Sequence, residues 1–152
     1  MNELNRLFVF TIMGQQYAVD LYSVERVIHA VEITRVPERS DLILGVINVH
    51  GKIISVINIR KMLGLPEREI DIDDFILLVN IPDGSTAFVI DSYAGVVDVT
   101  NEDITESGSI FPGLHSVEGI FKISGDVILI QNLEKLLAGG VMDEISTIAG
   151  GI

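Results

Sequence analysis

The chain contains one of its own segments twice. Gly45 to Leu63, GVINVHGKIISVINIRKML, aligns without a gap on Gly119 to Leu137, GIFKISGDVILIQNLEKLL. Gly45 and Gly51 fall on Gly119 and Gly125, while Ile54, Asn58, Lys61 and Leu63 fall on Ile128, Asn132, Lys135 and Leu137. Nearly every other apolar position meets an apolar residue. A chain built this way must fold as two copies of one unit. Each copy buries too little surface to be comfortable alone, so the copies lean on one another.

Each copy reads as strand, turn, strand and short helix. Val46 to Val49 and Lys52 to Ile57 are β-branched runs, and His50-Gly51 between them has hairpin-turn chemistry. Ile59, Met62 and Leu63, like Leu133, Leu136 and Leu137, then switch to helical spacing. Gly64 and Gly139-Gly140 stop those helices. The repeat extends weakly toward the start of each half. Leu7 to Ile12, the turn Gly14-Gln15-Gln16 and Tyr17 to Leu21 predict a hairpin, matched by Phe75 to Ile81, Pro82-Asp83-Gly84-Ser85 and Thr86 to Ile90. Ser23 to Ile28 corresponds loosely to Ser92 to Val97.

Five short strands and one helix per half predict a mainly β fold of two small barrels, SH3-like or OB-like in class. A barrel strand needs only its inner face apolar. Ile53-Ile54, Val56-Ile57 and Val127 to Ile130 are apolar on both faces, so their outer side chains must be covered by the sister barrel or by another protein. Pro66 to Asp74 reads as a polar connection between the halves, Thr100 to Ser109 as an exposed loop, and residues 139–152 as a tail or a final docked helix.

A net charge of −12 disfavours nucleic acid and anionic membrane surfaces, both of which need clustered Lys and Arg. The absence of cysteine excludes disulfides, thiolate catalysis and cysteine-held metals. No basic-then-apolar leader opens the chain and no run of about 18 apolar residues occurs; the expected compartment is the cytosol.

A search for catalytic chemistry finds little. Gly45 to Lys52 has five residues between its glycines where a phosphate loop has four, and Ile53 stands where that loop needs Ser or Thr. His29, His50 and His115 lack companions at metal-ligand spacing and read as surface histidines. Asp71-Ile72-Asp73-Asp74 lacks the glycine and terminal glutamate of a calcium loop and reads as solvated linker. Asp91, after Phe88-Val89-Ile90, reads as a strand end bonding its own turn. Neither enzyme activity nor a cofactor is implied.

The repeated residues also carry a resemblance. GVINVHGKIISVINIRKMLG is similar to the segment that marks the CheW family of bacterial chemotaxis coupling proteins, through Gly45, Val46, Asn48, Gly51, Ile53, Val56 and Arg60. FVFTIMGQQYAVDLYSVERVI resembles the family's first hairpin and following strand, and Gly119 to Leu137 its close. The resemblance spans residues 6 to 138 and implies a single CheW-like domain over 1–152, with two SH3-like five-stranded barrels at 6–70 and 75–138. Short helices are expected, one near the C-terminus, and 139–152 is left as a tail.

It further implies a non-enzymatic scaffold. Such proteins join the cytoplasmic tips of chemoreceptors to the regulatory domain of the histidine kinase CheA. This chain would then be cytoplasmic, recruited to membrane receptor arrays without inserting into the bilayer. The family's receptor groove falls on Val24, Arg26, Val27, Asn48 and His50. Arg26 stands where the family is commonly acidic and His50 where it has Arg, while Ser55 and Asn58 replace a usual Pro and Asp. A small-ligand or enzymatic module using the cleft between the barrels is the rival reading. A regulatory domain cut from a larger kinase is a second, disfavoured by the initial Met and an ending just after the repeat.

Overall fold

Residues 4–36, 42–82, 84–106 and 116–137 are described by a computed structural model. The first half runs β1 (Leu4–Ile12), β2 (Gln15–Asp20), a 3-10 turn (Leu21–Ser23), β3 (Val24–His29), β4 (Ile43–Val49), β5 (Lys52–Ile57) and α1 (Ile59–Met62). The second runs β6 (Phe75–Ile81), β7 (Gly84–Ile90), β8 (Ser92–Thr100), a 3-10 turn (Asn101–Asp103), β9 (Thr105–Glu106), β10 (Val117–Ile123), β11 (Asp126–Gln131) and α2 (Leu133–Leu136).

The two repeat units fold alike, down to their polar details. His50 and Gly51 have φ of +53° and +86°, and Ser124 and Gly125 of +52° and +88°. Two successive positive φ angles make the turn whose twist suits an antiparallel hairpin. Asn58 Oδ1 accepts from the Lys61 amide at 3.2 Å and Asn132 Oδ1 from the Lys135 amide at 3.0 Å, capping two single-turn helices. Each asparagine also donates to a carboxylate, Asn58 to Glu67 at 2.6 Å and Asn132 to Glu118 at 2.5 Å. An aspartate could cap but could not donate, which gives Asn58 a structural reason to depart from the family's Asp. Ser55, in place of the usual Pro, is buried with its hydroxyl 3.0 Å from that of Thr86.

The similarity extends to barrel closure. Thr34 exchanges two backbone hydrogen bonds of 2.9 Å with Val46, and Thr105 of β9 pairs with the equivalent Ile120. Gly45 and Gly119 permit these approaches. A Cβ on Gly45 would strike the Thr34 carbonyl, and one on Gly119 the Cγ2 methyl of Ile104.

The sheets do not follow the sequence halves. One has the order β8-β1-β2-β11-β10-β9, the other β3-β6-β7-β5-β4. The first hairpin, β1–β2, therefore lies among strands of the second half, and β6–β7 among strands of the first. The halves 6–70 and 75–138 are thus units of sequence, and each sheet draws on both. Parallel pairing of β11 with β2 and of β5 with β7 completes the reciprocal exchange.

Exchange explains the apolar richness of β1 and β6 on both faces. Successive side chains of a strand point to opposite faces, and in the exchanged hairpins both faces are buried. From β1, Leu7 and Val9 enter the interior of the six-stranded sheet, while Phe8, Phe10 and Ile12 enter a core shared by both sheets. From β6, Ile76 and Leu78 enter the five-stranded interior, and Leu77, Val79 and Ile81 the shared core. Leu133 and Leu137 reach the shared core from α2 and the residue that caps it, as Ile59 does from α1.

Two expectations about loops are corrected. Within Thr100 to Ser109 the chain makes a 3-10 turn and the strand β9, because Thr105 and Glu106 pair with β10. Asp71 to Asp74 is not simply solvated linker: Asp74 is buried, receiving two 2.7 Å hydrogen bonds from Arg68. The tail at 139–152 and His115 lie outside the described residues.

The two glycine contacts differ in kind, and that difference is measurable. Gly45→Ala must move backbone and should cost about 1–3 kcal/mol, the usual range for overpacking. Gly119→Ala first meets a side-chain methyl that can rotate and should cost less. Urea unfolding of both variants checks the order; equal losses would contradict it.

Candidate functional site

The edges of the two sheets expose the shared core. In an antiparallel pair, residues directly opposite share a face. Val24 lies opposite Val79 and Val27 opposite Leu77, both shared-core residues, so the two valines of edge strand β3 face the shared core. Both are only half-buried. On edge strand β8, Tyr93 lies opposite Phe10 and Val96 opposite Phe8, again shared-core residues. Tyr93 is 45% exposed and Val96 54% exposed.

A chain of rings ties these edges together. His29 of β3 lies 5.3 Å from Phe75, Phe75 meets Tyr93 edge-on at 5.0 Å, and Tyr93 stacks on Phe8 at 5.7 Å. Edge-on and offset geometries are those that aromatic quadrupoles favour. The result is an apolar seam between the sheets, walled by β3 and β8 and floored by Phe75 and Phe8. Tyr22, in the 3-10 turn that leads into β3, is 87% exposed.

The expected groove residues divide into two sets. Val24 and Val27 line the seam. Arg26 lies opposite Leu78, whose side chain enters the five-stranded interior, so Arg26 is on the other face of β3 and exposed. Asn48 and His50 sit at the far end of β4, the opposite edge of the same sheet. Asn48 Oδ1 accepts from the Gly51 amide at 2.7 Å, so its acceptor shapes the turn. His50 is exposed. No ion pair or hydrogen bond joins His50 to Arg26. His29, Tyr93 and Val96 were missed by sequence reasoning. An edge position extends the core pattern of the neighbouring strand, and that neighbour is supplied by the other half.

A second polar constellation lies where the connection meets the sheets. Asp91 Oδ1 accepts from Arg60 and from Arg68, each at 2.9 Å, and Asp91 Oδ2 accepts from the Met13 amide at 2.8 Å. Arg68 also forks onto Asp74, whose Oδ2 accepts from the Asp71 amide at 2.8 Å. Burial alone would raise the Asp74 pKa, but Arg68 and the Asp71 amide outweigh it and hold the carboxyl below the ordinary aspartate value. Hydrogen bonding to Asp74 holds the Arg68 guanidinium above its own.

Next to this network is a cavity of about 480 Å³ with Ile33, Leu44, Ile57 and Ile59 among its lining. Its cations are spoken for, Arg60 and Arg68 by Asp91 and Arg35 by Glu69. All its lining residues belong to the five-stranded sheet, α1 and adjoining segments, whereas the space between the sheets is filled by the shared core. Among the described residues, no group of His, Asp and Glu is placed to hold a metal, and no helix is long and apolar enough to cross a membrane.

A family model described as a CheW-like domain matches residues 6–140. The chain is 32% identical over 130 residues to the chemotaxis protein CheW of Thermotoga maritima, covering 84% of each. Against the chemotaxis protein CheW of Bacillus subtilis it is 32% identical over 99 residues, 65% of this chain and 64% of that one. The crystal structure of a scaffolding protein, TtCheW from Thermoanaerobacter tengcongensis, superimposes with a TM-score of 0.78 at 28% identity, over 91% of this chain and 96% of the other.

The Arg68–Asp74 pair makes a pH-dependent prediction. Because folding lowers the Asp74 pKa, the unfolded chain takes up the proton more readily, at an ordinary value of about 3.9. Its stabilisation is therefore full above that value and lost as pH falls through the lower folded value. Asp74→Asn should unfold at lower urea than the parent at pH 7, with the gap closing on acidification below about pH 4. A gap independent of pH would show that the pair contributes no charge-linked stability.

Proposed function

The chain belongs to the CheW-like domain family, and from that premise we propose that it is a non-enzymatic adaptor in bacterial chemotaxis or a related two-component pathway. Its partners are the cytoplasmic tips of chemoreceptors and the regulatory domain of a CheA-type histidine kinase. It works in the cytoplasm at membrane receptor arrays. The observation that carries this reading is the apolar seam between β3 and β8, an extension of the core held open at the surface by two edge strands. An adaptor needs such a surface, apolar enough to hold a partner and narrow enough to select one. The resemblance gives the receptor tips as hairpins, and a hairpin of amphipathic helices would lay an apolar stripe into a groove of this kind. The polar chemistry supports the same reading, since the strongest ionic groups are consumed in holding the fold together.

Val24 and Val27 are the residues assigned to receptor contact. Burying a valine against a partner is worth about 1.5–3 kcal/mol. Val27→Asp should weaken binding of a receptor-tip fragment by more than about tenfold, 1.4 kcal/mol at 25 °C, while leaving the circular dichroism spectrum native. Isothermal titration with parent and variant measures it; unaltered affinity in a folded variant would remove the seam from the receptor interface.

Arg26 and His50 are assigned to partner choice instead. Both are exposed outside the seam, Arg26 on the other face of β3 and His50 beyond the far edge strand, where they would meet the flanks of a bound partner, and they stand where the family has an acidic residue and an Arg. A misplaced charge weakens one contact and repels others. The double variant Arg26→Glu, His50→Arg should therefore gain affinity for receptor tips from a standard chemotaxis system and lose it for tips from its own genome. Equal affinities in all four combinations would mean that neither residue selects partners.

A further inference from the structure

Asp91 is the single residue between β7 of the five-stranded sheet and β8 of the six-stranded one, so the chain crosses from sheet to sheet at this point. Its groups reach both ways. Toward the six-stranded sheet, its backbone amide donates to the Thr11 carbonyl at 2.9 Å and its Oδ2 accepts from the Met13 amide at 2.8 Å. Toward the other, its Oδ1 receives Arg60 from α1 and Arg68 from the connection. The Arg60 side chain is 12% exposed and that of Asp91 29% exposed, so water screens this pair less than a surface ion pair.

The opposite crossing is built differently. Between β2 and β3 the chain makes the 3-10 turn Leu21–Ser23, and Asp20 Oδ1 accepts from the Tyr22 amide at 3.0 Å, a purely local cap. In the gapless alignment of the repeats, Glu134 of α2 occupies the position of Arg60 in α1. The second repeat thus carries an acid where the first carries the clamping arginine. Of the two crossings, the ionic clamp is on one.

We propose that the Arg60–Asp91–Arg68 clamp is a positioning device that fixes the start of β8 against the five-stranded sheet and so sets the width of the seam. Tyr93, two residues past Asp91, is the seam residue it governs, through the contacts of that ring with Phe75 and Phe8. The clamp bears on partner binding only if the seam is the receptor site, so that consequence rests on the adaptor reading; the geometry does not.

The absence of cysteine makes the test direct. Spin labels on Glu25→Cys of β3 and Ala94→Cys of β8, both exposed positions, report the distance between the seam walls in the free protein. The parent should give one narrow distribution. Asp91→Asn retains an acceptor for Met13 but loses the ionic contacts, and its distribution should broaden or shift. An unchanged distribution would overturn the proposal. If Asp91→Asn does not fold, Arg60→Gln, which spares the Met13 contact, is measured in its place and judged by the same criterion. Receptor-tip titration of the same labelled proteins separates the two ideas. Altered distances with weaker tip binding support both, whereas altered distances with undiminished tip binding keep the clamp and overturn the seam as the receptor site.

Discussion

Everything else in this molecule depends on the shared core made by two exchanged hairpins. Phe10 of β1 packs on Phe88 of β7 at 5.6 Å and on Tyr17 of β2 at 5.9 Å, joining the two sheets through fully or nearly fully buried rings. Each hairpin is sandwiched, one face in its own sheet's interior and the other in the common core. Removing either hairpin would strip one sheet of its central strands and the other of its covering layer. Neither sheet can therefore be stable alone, and the two behave as one cooperative structure.

The apolar seam is a by-product of the same construction. A core shared between two sheets must come to the surface somewhere, and among the described residues it does so along β3 and β8, end strands of the two sheets. Exposed apolar edges are ordinarily hazardous. Here the edges are held by specific packing, with Val24 and Val27 leaning on the shared core and Tyr93 wedged between Phe75 and Phe8. These contacts fix the walls of the seam, and a preorganised surface lowers the entropy cost for a partner such as the one proposed.

The repeat units were legible in the sequence because their signals are local. Turn glycines, β-branched runs and helix-spaced apolar residues act over a few residues, and the gapless alignment doubled every one of them. Hairpin exchange was not legible. Which strand a hairpin pairs with is decided by packing between distant segments, and the apolar run Leu7 to Ile12 looks the same in either barrel. The burial of Asp74 was hidden for the same reason, since its partner Arg68 is embedded in a segment whose composition signals solvent. One overlooked clue was local: Ile33-Thr34 and Ile104-Thr105 recur as the dipeptides that approach Gly45 and Gly119. Within the candidate site, Val24 and Val27 came from resemblance, whereas His29, Tyr93 and Val96 required knowledge of the strand order.

The reciprocal exchange also governs when the protein can fold as it is made. A chain emerging from the ribosome up to the connection at Pro66 to Asp74 carries β1–β2 without β8, β10 and β11, and β3, β4 and β5 without β6–β7. The first half can form local hairpins but neither sheet, and its apolar faces stay uncovered until the second half is synthesised. Strand pairings of such long sequence separation are slow to form and leave sticky intermediates. For this chain the five-stranded sheet has all its strands once β7 is made, whereas the six-stranded sheet waits for the final hairpin, and a copy arrested or truncated before it is a substrate for chaperones and proteases.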